Sequence, residues 1–333
     1  MGSPVAGPVE VTAPYAPMTF DQPGSGTRMH LVVNSLAGGY SQHAACRVGR
    51  CLEELGFEPQ YHVMAALEDV QAVSAFIQKS EPNPFIVVAG GDGTVNAVLN
   101  GLEPGKAKLA VIPLGTANVL ARELGIDSAG AGLRSIRDAV TKPLTVGVLR
   151  FADGQRYFSL MVGIGFDGAV VKGVGEREKR FLKKGAYALS AMRALWRWDK
   201  RMMTVTSGGE EFECHSVVVN NAARYGGNFL LAPEQDISSP NLSVLCINSS
   251  RRATYAALAL DLLLGRRSSA DNVRVLMTSE LSVTGNKPIQ ADGDFVGSGA
   301  ARLTVIENFA HIICGAAKAF PSGEGAPDSL KWF

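Results

Sequence analysis

The sequence predicts an α/β domain built on a parallel sheet, followed by a mostly antiparallel β half. Three observations support this prediction. Strand-like and helix-like segments alternate from His30 onward, the alternation stops near Pro143, and glycine-rich turns follow two of the early strands. With 333 residues, 46% of them hydrophobic, the chain is long enough for two domains with separate cores.

The first half follows the order strand, helix, strand, helix, strand. The segments are HLVVN (30–34), a helix from Gln42 to Leu55, PQYHVM (59–64), a helix from Glu68 to Gln78, and FIVVA (85–89). Strands joined by helices pair in parallel, and open parallel sheets bind ligands at the carboxyl ends of their strands. Asn34, Asp92 and Thr116 fall at those ends.

The second half shows short extended runs separated by turns, such as LTVGVLRF, ADGQ and RYFSLMVGIG, which is typical of antiparallel strands. Two helical segments interrupt it, from Gly185 to Asp199 and from Ala253 to Leu264. The predicted organisation is a disordered lead rich in Pro and Gly, an α/β domain, a β-rich domain and a tail, over residues 1–28, 29–143, 144–315 and 316–333.

Composition excludes several classes of protein. A formal net charge of +1 argues against a protein that neutralises many phosphates of a nucleic acid. The five cysteines form no CxxC pair, so neither a disulfide framework nor a zinc ribbon is indicated, and a reducing cytoplasm fits best. We find no signal peptide and no apolar run of the roughly 20 residues that a spanning helix needs.

The segment GGDGT, Gly90 to Thr94, follows an apolar strand and precedes a predicted helix. Its glycines let backbone amides approach a ligand, and a helix N-terminus attracts phosphate, with Thr94 as the expected cap. A carboxylate beside a phosphate repels it unless it binds a metal or accepts a proton, so Asp92 suggests Mg²⁺ binding or general-base work. An Asp in a tight turn explains the same residue equally well.

A second unit, LAVIPLGTANVLARELG from Leu109 to Gly125, repeats this design, with Thr116 as the expected cap and Asn118 in the first turn. The loop after the first strand, NSLAGG, adds Asn34, Gly38 and Gly39. We expect the three loops to converge and cradle one nucleoside triphosphate. No Walker A sequence is present.

The chain resembles the diacylglycerol kinase catalytic family, which includes bacterial lipid kinases and the sphingosine and ceramide kinases. The resemblance rests on GGDGTVNAVLNGL, IPLGTANVLARELG, MVGIGFDGAVV and PIQADGD, in that order. It implies a phosphofructokinase-like nucleotide-binding domain over 29–143 and a C-terminal β-sandwich for the lipid substrate over 144–315. It also implies ATP with Mg²⁺ as the phosphate donor and a lipid hydroxyl as the acceptor.

The resemblance also implies roles for individual residues. Nucleotide-phosphate contacts go to Asn34, Gly38, Gly91, Asp92, Gly93, Thr94, Asn96, Gly115, Thr116 and Asn118. The general base of the family is the Glu of a DGE motif, and the matching position is Asp294, one methylene shorter. Either Asp294 or Asp92 is expected to take the proton. The local pattern of IQADGDF by itself favours an Asp-Gly hairpin turn without a catalytic role.

Two carboxylates that the family often carries are absent. Val119 follows Asn118 where Asp is common, and Gly147 is nearest to a missing strand Asp. Asp92 is the first metal candidate, and Asp236 is the nearest substitute for the family's structural Mg²⁺ site, which leaves a second metal site open.

Segment 172–201 is locally basic and carries aromatic residues, which fits docking on anionic lipid at the inner face of a membrane. The helix flanked by Arg251, Arg252, Arg266 and Arg267 is a second candidate contact. The alternative is solvated charge on packed helices, with the tryptophans in the core.

The sequence thus predicts an ATP- and Mg²⁺-dependent lipid kinase in the cytoplasm, associated peripherally with the membrane and with no nucleic-acid partner. Whether the acceptor is diacylglycerol or a ceramide or sphingoid base stays open, as does a homodimer. Two alternatives remain: a soluble kinase resembling NAD kinases, and a catalytically impaired lipid-binding regulator, motivated by the missing carboxylates.

Overall fold

The computed structural model describes residues 18–19, 26–174, 184–196, 198–227, 229–264 and 272–315. Most of the predicted lead and all of the predicted tail lie outside these ranges. Within the lead, strand β1 (Met18–Thr19) pairs antiparallel with Val140 and Thr141.

The N-terminal part is a parallel sheet in the spatial order β3-β2-β4-β5. Its strands are β2 (Thr27–Asn34), β3 (Phe57–Met64), β4 (Phe85–Gly90) and β5 (Ala107–Pro113). The helices are α1 (Gln42–Glu54), α2 (Leu67–Ser80), α3 (Asp92–Gly101), α4 (Val119–Glu123) and α5 (Ala129–Asp138). The predicted parallel α/β arrangement is confirmed.

The helices cover both faces of this sheet because successive strand side chains point to opposite sides. On β2, Leu31 and Val33 pack in one core cluster with residues of α1 and α5. Val32, which lies between them, packs in another with residues of α2 and α3. All three are fully buried, and the apolar run of β2 therefore reflects a strand enclosed on two sides.

The C-terminal half is rich in antiparallel strands, as predicted. The strands are β6 (Val140–Phe151), β7 (Gly154–Phe158), β8 (Met161–Ile164), β9 (Met203–Ser207), β10 (Glu210–Cys214), β11 (Ser216–Asn220), β12 (Arg224–Tyr225), β13 (Phe229–Leu230), β14 (Leu242–Ile247), β15 (Val273–Thr278), β16 (Glu280–Ala291) and β17 (Asp294–Ile313). The helices are α6 (Phe166–Lys172), α7 (Lys184–Trp196) and α8 (Arg252–Leu263).

Strand β17 belongs to both parts of the molecule. It pairs antiparallel with β6 and β16, and its end, Ala310 to Ile312, pairs in parallel with β5. The pairing with β6 shifts register between Ile306 and Ala310, where Asn308 adopts a left-handed conformation with φ 52°. The turn that opens β17 is thus connected, through one strand, to the N-terminal parallel sheet.

Candidate active site

Three loops meet at the carboxyl ends of β2, β4 and β5. The backbone amide of Gly39 donates to the carbonyl of Leu114 over 2.8 Å, which joins the first loop to the third. Asn34 Nδ2 donates to Thr94 Oγ1 over 3.0 Å, which joins the first loop to α3. The structure therefore brings together loops that the sequence predicted to converge.

The second and third loops touch through their glycines. A Cβ on Gly115 would lie 2.5 Å from the Cα of Gly91, so the loops can approach this closely only without side chains. Asn118 closes the third loop, because its Oδ1 accepts from the amide of Gly115 and its Nδ2 donates to the carbonyl of Gly115, each over 2.9 Å. Gly38 faces Thr116 Oγ1, 3.9 Å from where its Cβ would be.

Asp92 caps a helix that is not its own. Its two carboxylate oxygens accept the backbone amides of Val119 and Leu120, each over 3.0 Å, at the N-terminus of α4. Neither α3 nor α4 has a capping bond from its own N-cap side chain, so the predicted capping by Thr94 and Thr116 is wrong. The reason is that α3 begins at Asp92 itself, which places Thr94 inside the first turn.

Burial raises the pKa of Asp92, and the hydrogen bonds from the amides of Val119 and Leu120 oppose that rise. The carboxylate also lines the large cavity described below. Asp92 thus connects the second loop to the N-terminus of α4, which follows the third loop.

Asn96 lies at the junction of α3 with the C-terminal half. It is 1% exposed, and its Nδ2 donates to Asp292 Oδ2 over 2.8 Å and to the carbonyl of Tyr157 over 2.9 Å. The structure therefore gives Asn96 protein partners, although the resemblance implied a nucleotide contact.

Asp292 and Gly293 form the turn between β16 and β17, with left-handed φ angles of 47° and 89°. Asp292 is partly buried, and its carboxylate accepts hydrogen bonds from the backbone amides of Ser159, Leu160 and Met161 over 2.8 to 2.9 Å. Burial raises its pKa, and these amides oppose the rise. The sequence did not identify Asp292, because an Asp-Gly turn looks the same whether its acid is exposed or buried.

Asp294 begins β17 and is partly exposed. Its Oδ2 accepts from Arg156 Nη2 over 3.1 Å, and the ion pair joins β17 to β7. Asp294 lines the same cavity as Asp92, Gly93 and Thr116. The structure therefore places both acids that the sequence proposed as proton acceptors at one site.

The cavity has a volume of about 1580 Å³ and a lining of two kinds. Polar groups come from the glycine loops and from Asp294 and its turn. The remainder is mostly apolar and includes Val170, Val171, Val218, Leu230, Leu231, Leu245, Leu258, Leu262, Val275 and Leu276. Such a space suits a ligand with a polar end and long apolar chains.

Asp167 is a buried acid in the wall of this cavity. Its carboxylate accepts a hydrogen bond from the hydroxyl of Tyr225 over 2.5 Å and another from Gln290 Nε2 over 2.6 Å. Burial raises its pKa, while these two hydrogen bonds oppose the rise. Gly163 makes room for it, since a Cβ there would lie 1.9 Å from Asp167 Oδ2.

At the two positions where the family often carries an acid, this chain has Gly147 and Val119, and both take part in packing or hydrogen bonding. The fully buried ring of Phe158 lies over Gly147, where a Cβ would be 2.0 Å from Phe158 Cζ. At the other position, the backbone amide of Val119 bonds Asp92. Neither position offers an acid to a metal.

Within the described ranges, no group of three or more His, Cys, Asp or Glu side chains could hold a metal ion. Asp236 is exposed and pairs with Lys142 over 3.1 Å, and it does not line the cavity. Mg²⁺ is commonly held by one or two carboxylates together with substrate phosphates, and a carboxylate oxygen keeps a second lone pair when it accepts one amide. Asp92 therefore fits a Mg²⁺ that arrives with phosphates, and the described residues form no protein-only cage.

Only part of the predicted basic segment 172–201 can be located, because residues 175–183 and 197 lie outside the described ranges. On α7, Trp196 is 87% exposed and Met192 is 62% exposed, and on α8 Leu260 is 56% exposed. Trp198 is partly buried against Phe166, His215 and Tyr255, so the prediction of core tryptophans fits Trp198 and not Trp196. Among the helices within the described ranges, we find none with the length and apolar character of a membrane span.

Comparison with protein families places two domains on the chain. Residues 28–149 match the diacylglycerol kinase catalytic domain. Residues 160–314 match the YegS C-terminal NAD kinase beta sandwich-like domain. The glycine loops lie in the first match, and Asp292 and Asp294 lie in the second.

Known proteins show the same likeness. The diacylglycerol kinase of Bacillus subtilis (strain 168) is 25% identical over 304 residues, which cover 88% of this chain and 98% of that protein. The diacylglycerol kinase of Mycobacterium tuberculosis (strain CDC 1551 / Oshkosh) is 25% identical over 228 residues, 66% of this chain and 74% of that protein.

A crystal structure of a diacylglycerol kinase from Bacillus anthracis str. Sterne superposes with a TM-score of 0.67 at 18% identity, over 88% of this chain and 99% of that one, and shows the fold. The two family matches together cover most of residues 28–314. The chain therefore belongs to the diacylglycerol kinase catalytic-domain family of lipid kinases and carries a YegS-type C-terminal domain.

Proposed function

We propose that this chain transfers the γ-phosphate of ATP to the hydroxyl of a membrane lipid, either diacylglycerol or a ceramide or sphingoid base. The observation that carries the proposal is the shared cavity, in which a mostly apolar space of about 1580 Å³ reaches Asp92, Thr116 and Asp294. A soluble acceptor, as in NAD kinases, has no need of such an apolar space, so the cavity favours the lipid kinase over that alternative.

The three loops would bind the nucleotide phosphates. Gly38, Gly91 and Gly115 put no side chain between these loops and a ligand, and the ten-residue α3 begins at Asp92 with the positive end of its dipole. When bound with the nucleotide, Mg²⁺ supplies charge neutralisation for the phosphates, and Asp92 is the residue that would hold it.

Asp294 is the preferred proton acceptor. In the proposed reaction it takes the proton of the lipid hydroxyl, the lipid oxygen bonds to the γ-phosphorus, and the bond from that phosphorus to the β–γ bridging oxygen breaks. The products are ADP and a phosphomonoester. Asp92 is the weaker candidate, because both of its oxygens already accept the backbone amides of α4. Positioning and charge neutralisation would provide most of the rate.

Docking on an anionic membrane at the cytoplasmic face would bring the lipid to the cavity. The exposed Trp196 and Met192 lie on α7, which contributes Ala191 to the cavity wall, and the exposed Leu260 lies on α8, which contributes Leu258. The basic residues Arg193, Arg251 and Arg252 accompany them, and each basic residue close to an anionic surface contributes about 1 kcal/mol.

The proposal is tested with ATP labelled in its γ-phosphate and a mixed extract of diacylglycerol, ceramide, sphingosine and monoacylglycerol. We expect one labelled lipid in wild type and a loss of label of at least about 100-fold in Asp294→Asn. Asp153→Asn, which alters an exposed acid in the β6–β7 turn, is the matched control and should keep wild-type transfer.

Other outcomes would revise the proposal. Label retained in Asp294→Asn but lost in Asp92→Asn would move the proton acceptor to Asp92. Binding to lipid vesicles without label in wild type would replace the kinase with the impaired lipid-binding regulator.

A further inference from the structure

Arg156, a residue that the sequence did not select, joins the two halves of the proposed site. It lies on β7, and one guanidinium nitrogen, Nη2, is 3.1 Å from Asp294 Oδ2 and 3.1 Å from Asn96 Oδ1. That nitrogen carries two protons, one for each acceptor. The same group thus contacts the acid of β17 and the helix that follows the glycine loop.

Arg156 thus bridges Asn96 and Asp294, and the Asn96 end of this bridge is held by further hydrogen bonds. Asn96 Nδ2 donates to Asp292 and to the carbonyl of Tyr157, so its Oδ1 must face the donors, Arg156 and Asn100 Nδ2. Asn96 is 1% exposed, whereas the Asp294 side chain is 35% exposed. The Asp294 end of the bridge therefore has more freedom to move.

The position of Asp294 matters because its side chain is short. Compared with a Glu, the carboxylate reaches about 1.3 Å less far, judging from bond lengths. A general base has to come within about 2.6 to 3.2 Å of the proton it accepts, and a displacement of about 1 Å can cost on the order of 100-fold in rate. Because Asp294 is the shorter acid, a displacement of its carboxylate is more costly than the same displacement of a Glu carboxylate would be.

We propose that Arg156 is a positioning residue that holds the Asp294 carboxylate at a fixed distance from α3 and the phosphate loops. Its catalytic consequence rests on the proposed function of Asp294 as the proton acceptor. The position of the Asp294 carboxylate can be measured in a structure, without an assay of activity.

The geometric test compares crystal structures of wild type and Arg156→Met. We expect the Asp294 carboxylate to leave its wild-type position by more than about 1 Å, with the bonds of Asn96 to Asp292 and Tyr157 retained. A carboxylate that stays in place overturns the proposal. If Arg156→Met does not fold, Arg156→Lys serves instead, since its single ammonium cannot reproduce the fixed fork of the guanidinium.

The kinetic test is a double-mutant cycle on lipid phosphorylation. We expect Arg156→Met to lower kcat by about 10-fold to 100-fold, with the KM for ATP changed less than about 3-fold. Arg156→Lys should restore part of the loss. In the Asp294→Asn background, Arg156→Met should cost less than about 2-fold more, because it acts through the acid that is already gone.

Two kinetic results contradict the proposal: losses that multiply in the double variant, or a raised KM for ATP at unchanged kcat, which would make Arg156 a nucleotide ligand. Arg150→Met on β6 removes an exposed arginine outside the site and is the matched control. If wild type transfers no phosphate, the proposed function fails, and the crystal structures alone decide the positioning.

Discussion

Two parts of the structure around the cavity are built in opposite ways. At the loops, Asp92 and Asp292 accept hydrogen bonds from backbone amides of segments far away in the chain. The helices α7 and α8 also contribute to the lining, but they expose large apolar side chains outside it, with Trp196 at 87% exposure. Side chains that satisfy buried amides stabilise the fold, whereas exposed apolar side chains leave their contacts to a partner.

This difference predicts that substitutions at the loops will change the free energy of unfolding. Substitutions of the exposed apolar side chains on α7 and α8 should instead change membrane binding and leave stability nearly as it is. The expectations below run from the largest effect to the smallest.

Asp292→Ala should have the largest effect on stability. It leaves the amides of Ser159, Leu160 and Met161 without their acceptor, and we expect the free energy of unfolding to fall by about 3 kcal/mol or more. Urea denaturation measures the change. Asp153→Ala, at an exposed turn, should stay within about 0.5 kcal/mol, and a loss below about 1 kcal/mol for Asp292→Ala would contradict the structural role.

Gly115→Ala should cause the next largest loss in the free energy of unfolding. Its Cβ would meet the Cα of Gly91 at 2.5 Å, so two backbones must separate, and overpacking of this kind costs about 1 to 3 kcal/mol. Gly93→Ala in the first turn of α3 is the matched control, because its Cβ would meet Leu67 Cδ1 at an ordinary 3.6 Å. Equal stability of the two variants in urea would show that the loops do not touch as described.

The buried acid Asp167 predicts a pH dependence. Burial raises its folded-state pKa above the unfolded value of about 3.9, so the folded chain holds the proton more tightly. As the pH rises from the unfolded toward the folded pKa, ionisation therefore costs stability. The free energy of unfolding of wild type, relative to Asp167→Asn, should be largest in acid and should fall with rising pH. A flat or rising difference would exclude a raised pKa.

Trp196→Ser should change stability least. The exposed indole contributes little to packing, so the free energy of unfolding should stay within about 0.5 kcal/mol. Sedimentation with anionic phosphatidylglycerol vesicles should show binding weakened by about 5-fold or more, because the indole no longer enters the interface. Phe76→Ser, on α2 and 66% exposed, is the matched control, and equal binding by both variants would move the docking surface elsewhere.

A large part of the fold could be predicted from local pattern. The apolar runs of β2 and β4 and the helices between them predicted the parallel sheet, because enclosed strands require continuous apolar sequence. The short runs after residue 143 predicted the antiparallel half. The pattern did not reveal that β17 would pair with β5, since such a pairing depends on residues some 200 positions apart.

In the candidate site, too, some features could be predicted from local sequence and others could not. The glycines and acids of GGDGT, PLGTAN and ADGD could be selected from sequence, because phosphate loops and tight turns demand those residue types locally. Three features depended on tertiary structure: the backbone amides that donate to Asp92, those that donate to Asp292, and the contact of Arg156 with both Asp294 and Asn96. Their partners come from other strands and helices, and only packing of the whole chain decides which acid meets which donor.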